Sequence, residues 1–238
     1  MAGAVLANGP IEAIVMTLTR TFASVLFDVD GTLIDSNGAH ATAWTRALRE
    51  HGVRVNEARV RPLIGMGGDK LLPAIANLDD TSPDGRAIAR RKKELFDELL
   101  PRLRPTPGAR PLLEFLRDQH VEVVIATSAD DRDMDALLRQ ARLDGLIDKR
   151  ASKDDAAESK PDPDIVHAAL ARARSGPEAT VMVGDTPYDI EAARRAGIAT
   201  IALRCGGYWS DRDLDGALCI MRDPQELLDQ WRQAAVAG

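Results

Sequence analysis

Short runs of consecutive apolar residues alternate, along most of this chain, with stretches whose apolar positions recur every three or four residues. Residues 24–27, 121–126, 181–184 and 200–203 are brief, apolar and rich in Val or Ile, as strands buried on both faces of a parallel sheet are. A weaker run covers 218–221. Residues 112–119, 131–141, 165–174 and 188–196 have helical spacing. Strand and helix in strict alternation predict a doubly wound α/β fold.

Between residues 36 and 103 the strand pattern stops. Helices are predicted there over 39–50, closed by Gly52, over 69–76, interrupted early by Pro73, and over 83–100. Ser82 is a natural N-cap for the last, with Pro83 at its first position. The expected organisation is an α/β core over 21–35 and 104–238, an all-helical cap inserted over 36–103, and a loose N-terminal extension over 1–20. The insert's position beside the first strand makes it a candidate lid.

Composition narrows the picture modestly. A 238-residue chain with a formal net charge of −6 argues against nucleic acid as the main partner. No apolar run of membrane-spanning length occurs. Residues 1–19 lack the basic start of a secretory signal. Cys205 and Cys219, without CxxC spacing, read as reduced thiols, which suggests a cytoplasmic protein without a zinc site or a disulfide framework.

Four segments carry candidate chemistry, each at the end of a strand or before a helix. Asp28-Val29-Asp30-Gly31-Thr32 delivers two carboxylates from one strand end and a glycine for the turn; as a bland alternative it is an Asp-Gly turn. Thr127 and Ser128 end the second strand in hydroxyls that either cap the next helix or donate to an anion. Ser159-Lys160-Pro161-Asp162-Pro163 presents Lys160 on a stiff support suited to neutralising an oxyanion. Gly184-Asp185-Thr186-Pro187-Tyr188-Asp189 delivers another acid, with Asp189 either a capping-box partner of Thr186 or a metal ligand. Convergent carboxylates repel one another unless a cation lies among them, and an all-oxygen set suits Mg²⁺.

In this order the four segments resemble the haloacid dehalogenase superfamily, in its phosphatase branch with a helical cap, from about residue 21 to the C-terminus. The resemblance implies a Rossmann-like core and a Mg²⁺-dependent phosphomonoester hydrolase acting on a small phosphorylated metabolite through an aspartyl-phosphate. It makes Asp28 the nucleophile, Asp30 the general acid and base, Thr127 a phosphoryl-oxygen donor and Lys160 the charge-neutralising lysine. Asp185 becomes the chief acidic metal ligand beside Asp28 and the Asp30 backbone carbonyl, with Asp189 a ligand or a support for one. Asp30 argues for phosphatases and phosphomutases, since dehalogenases and phosphonate hydrolases of the superfamily lack an acid there. Two alternatives attach to the cap. Met66 and Lys70 have a spacing similar to that in phosphonoacetaldehyde hydrolases, and His40 is spaced from Asp28 as in beta-phosphoglucomutases. Substrate choice is expected at His40, Arg61, Met66 and Lys70, with Ser128 nearby. Asp211-Arg212-Asp213-Leu214-Asp215-Gly216 begins like a calcium loop but has Arg222 where the final Glu belongs, so calcium is set aside.

Overall fold

The computed structural model describes residues 22–237; the extension expected over residues 1–20 lies outside them. Strand β1 (Ser24–Phe27) leads into a helical insert of α1 (Asn37–Glu50), α2 (Glu57–Val60), α3 (Gly68–Ala76) and α4 (Pro83–Leu99). The chain continues through α5 (Ala109–Asp118), β2 (Glu122–Ala126), α6 (Asp131–Ala141), β3 (Lys149–Ala151), α7 (Asp164–Arg172) and β4 (Thr180–Gly184). It ends with α8 (Pro187–Arg195), β5 (Ala199–Leu203), β6 (Cys219–Met221) and α9 (Pro224–Ala237).

The strands form one six-stranded sheet in the order β3-β2-β1-β4-β5-β6, with every pairing parallel. Alternate residues of each central strand enter opposite layers. Val25, Phe27, Val123, Ile125, Val181 and Val183 pack with the leucines of α5, α6 and α9, whereas Leu26, Val124 and Met182 pack against α7 and α8. Burial on both faces is why these strands read as unbroken apolar runs. Chain direction across the sheet reverses at β1, whose neighbours are β2 and β4. In this topology a crevice opens beyond the strands' carboxyl ends at that point, and the loops after β1 and β4 flank it.

Local chemistry explains the helix boundaries. Ser82 caps α4 by accepting from the Gly85 N–H at 3.0 Å, and Asp130 caps α6 by accepting from the Asp133 N–H at 2.8 Å. Three features depart from the expected elements. The edge strand β3, Lys149-Arg150-Ala151, has no apolar pattern and is extended because it pairs with Val124–Ala126. The short α2 and the C-terminal α9 were not anticipated either. Helix α3 runs through Pro73 instead of breaking there; one backbone bond is lost while Leu71 and Leu72 stay fully buried.

Candidate active site

The loop after β1 turns at Gly31, whose φ of +81° suits only glycine, and a Cβ there would lie 2.4 Å from an Asp185 oxygen. Asp28 is thereby brought to the loop after β4, and one carboxylate oxygen each from Asp28, Asp185 and Asp189 lies within 4.8 Å of the others. All three side chains are buried. Asp185 accepts from Thr32 Oγ1 at 3.1 Å and from Asn37 Nδ2 at 2.8 Å, which holds its carboxylate in one orientation. Gly206 closes this wall: a Cβ on it would lie 1.7 Å from Asp185 Oδ2.

Lys160 is fully buried, with Nζ 2.7 Å from both Asp28 Oδ1 and Asp189 Oδ1. Burial pulls its pKa down, but Asp189 and Asp28 outweigh that and hold it well above the usual lysine range. Asp189 takes the capping role that its sequence allowed and adds a contact with the buried lysine. Its Oδ2 accepts from the Thr186 N–H and hydroxyl, completing the capping box of α8, while Oδ1 faces the lysine.

One ammonium does not balance three buried carboxylates. Burial pushes Asp28 up to about 7, with Lys160 pulling the other way and Asp189 and Asp30 adding repulsion. Asp185 is raised well above the ordinary carboxylate range, again first by burial and then by Asp28 and Asp189. A buried, all-oxygen cluster with excess negative charge fits a divalent metal. The Asp30 carboxylate is not part of this cluster. It turns away to accept from Ser36 Oγ at 2.5 Å and to meet His40 Nε2 at 2.8 Å. Burial would raise its pKa, yet His40 and Ser36 bring it down to about 2. Burial lowers the pKa of His40 despite Asp30, so its ring is neutral near pH 7 and donates Nε2–H to the carboxylate; it stacks on Phe96 with centroids 4.0 Å apart.

A cavity of about 560 Å³ opens above Asp28 and Asp30, between the sheet and the helical insert. Thr127 and Ser128 line it. Thr127 Oγ1 accepts from the Ala129 N–H at 3.2 Å, which leaves its own proton available, and the buried Ser128 Oγ has no partner among the described residues. His40 and Met66 also face the cavity, Met66 from the glycine-rich turn before α3. Arg61 and Lys70 do not, and their expected role toward substrate is corrected. Arg61 pairs with Glu57 one helical turn away at 2.6 Å. Lys70 reaches the Lys160 loop instead, pairing with Glu158 and, at 3.0 Å, with Asp162. Beside it, Ser159 Oγ donates to Asp69 Oδ1 at 2.6 Å and accepts from the Gly67 N–H at 3.1 Å, so the turn before α3 is tied to the lysine-bearing loop.

The family profile of haloacid dehalogenase-like hydrolases matches residues 25–203. The chain belongs to this family. It is 31% identical over 182 residues to a phosphorylated carbohydrates phosphatase of Thermotoga maritima, covering 75% of this chain and 83% of that one. It is 32% identical over 214 residues to a phosphoglycolate phosphatase of Pseudomonas putida, covering 87% and 76%. Among solved structures, a hydrolase from Pseudomonas syringae superposes with a TM-score of 0.83 at 29% identity, covering 89% of this chain and 98% of that one. The named relatives are phosphatases, and this chain is a phosphatase of the same haloacid dehalogenase-like type.

The residues that sequence reasoning missed are those that orient others. Asn37 and Thr32 hold Asp185, and Ser36 holds Asp30. Thr32 and Ser36 lie beside the first motif but carry no signal of their own. Asn37 sits at the start of α1, where its residue type reads as an ordinary helix end.

Proposed function

We propose that the chain is a Mg²⁺-dependent phosphomonoester hydrolase that transfers the phosphoryl group of a small phosphorylated metabolite to Asp28 and then to water. The observation that carries this reading is the convergence of Asp28, Asp185 and Asp189 on one point with Lys160 bonded to Asp28. Asp28, Asp185 and Asp189 would hold the metal, which supplies positive charge to the phosphoryl oxygens and to the attacking carboxylate. Lys160 keeps Asp28 oriented and offsets charge on the transferring group. Thr127 Oγ1 and Ser128 Oγ donate to phosphoryl oxygens from the end of β2.

Asp28 Oδ attacks phosphorus as the bond to the leaving oxygen breaks, and Asp30 gives that oxygen a proton. In the free protein Asp30 is ionised; a phosphate dianion alongside it favours the protonated form. Asp30 then takes a proton from the water that cleaves the aspartyl-phosphate. His40 holds the Asp30 carboxylate toward the cavity in both steps. Relatives named for phosphorylated carbohydrates and phosphoglycolate support a small phosphorylated metabolite as substrate.

Phosphate release from p-nitrophenyl phosphate tests the reading, with Mg²⁺ and with chelator. Mg²⁺-dependent turnover that Asp28→Asn abolishes supports it; turnover that persists in chelator or in the variant overturns it. A panel of phosphorylated metabolites then identifies the leaving group. Glucose 1-phosphate distinguishes hydrolysis, which releases inorganic phosphate, from the mutase alternative, which yields glucose 6-phosphate.

A further inference from the structure

The cavity wall opposite Asp28 is lined by basic side chains, and they are not equivalent. Lys93 is matched by Asp130 at 2.6 Å and Asp133 at 3.0 Å. Lys153 is matched by Asp69 at 3.6 Å and Asp80 at 3.8 Å. The cavity's acids away from the metal cluster and Asp30 are thus already paired with these two lysines. Arg86, Arg90 and Lys92 also line the cavity and form no carboxylate ion pair among the described residues; Arg86 meets only the backbone carbonyl of Thr81.

All three lie on α4, which works as a ruler. Phe96 of the same helix stacks on His40, the partner of Asp30, so the C-terminal half of α4 marks the chemical end of the cavity. Lys92 lies over the Phe96 ring at 4.9 Å from its centroid. At about 1.5 Å of rise per residue, Arg90 lies about 9 Å and Arg86 about 15 Å along the axis from Phe96. Gly65, Gly67 and Gly68 also line the cavity, and a Cβ on Gly65 or Gly67 would collide with Thr186 or with Asp69 and Ser159 behind the wall.

We propose that Arg86 and Arg90, on the cavity face of α4, bind a second anion on the leaving group, so that the substrate is a phosphomonoester carrying a further phosphate or carboxylate remote from the scissile phosphate. This rests on the phosphatase reading above and adds the leaving-group class to it. Both arginines are exposed at the wall, where a bidentate guanidinium grips either anion.

Two matched pairs test it by kcat/KM: fructose 1-phosphate against fructose 1,6-bisphosphate, and glucose 6-phosphate against 6-phosphogluconate. The expected result is a preference of about tenfold or more for the doubly anionic member of at least one pair. The responding pair tells phosphate from carboxylate. The Arg86→Gln/Arg90→Gln double variant should lose that preference chiefly through KM, and Arg90→Lys should keep part of it. Equal rates within both pairs, or a preference that survives the double variant, overturn the inference. Mg²⁺-dependent turnover of p-nitrophenyl phosphate in that same protein would leave the phosphatase reading standing. Inactivity toward that ester as well would remove both.

Discussion

Mg²⁺ should stabilise this protein more at neutral than at acid pH, by an amount that follows from the burial of Asp28. The folded pKa of Asp28, about 7 without metal, lies above its ordinary value of 3.8. Between those values the folded state binds more protons than the unfolded one, so raising pH through this window lowers stability. Asp185 shifts in the same direction and adds to the effect. A metal held by ionised carboxylates must first displace the Asp28 proton. At about pH 5.5 that costs about 2 kcal/mol and weakens Mg²⁺ about thirtyfold; at about pH 8 the cost vanishes. For a chain of this length, 2 kcal/mol corresponds to about 4–8 °C of melting temperature. The assay is thermal unfolding at both pH values, in chelator and in saturating Mg²⁺, taking the difference between the two at each pH. An equal Mg²⁺ increment at both pH values would refute the reasoning, because Asp28 would then be ionised without a metal.

Three further outcomes follow from the geometry. Lys160→Met should abolish turnover and also cost about 3–5 kcal/mol in denaturant unfolding, because Asp28 and Asp189 lose their buried counter-charge; a variant as stable as wild type would contradict the pairing at 2.7 Å. Asp30→Asn should slow steady-state turnover about 10²–10⁴-fold while Mg²⁺ binding by calorimetry is retained, since its carboxylate lies outside the metal cluster. Gly206→Ala should weaken Mg²⁺ by at least about tenfold in the same calorimetry with folding preserved, because its methyl group must displace the Asp185 carboxylate; unchanged affinity would show that the wall can yield.

Much of the fold was legible because its strands are buried on both faces. Residues 24–27 and 131–141 occupy the predicted strand and helix, and the other predicted core elements shift by only a few residues at their ends. β3 was illegible because Lys149-Arg150-Ala151 becomes a strand through its neighbour, not through its own side chains. The strand-end acids were legible because two carboxylates spaced across one turn are costly without a purpose. Asn37 was not, because an asparagine at a helix start has a common local use and its bond to Asp185 spans 148 positions.

The chain's own pattern determined the alternation of strands and helices, the all-helical character of residues 36–103, and the four segments that carry acids, hydroxyls and a lysine. All of these are local properties, set by side-chain periodicity and turn chemistry. Tertiary structure alone decided what those groups face. It divided the two oxygens of Asp189 between a helix cap and Lys160, turned Asp30 toward His40, and drew Lys70 away from the cavity onto Glu158 and Asp162. The reason is that charge pairing and burial depend on distances between segments far apart in the chain, which only the packed sheet and its insert bring within reach.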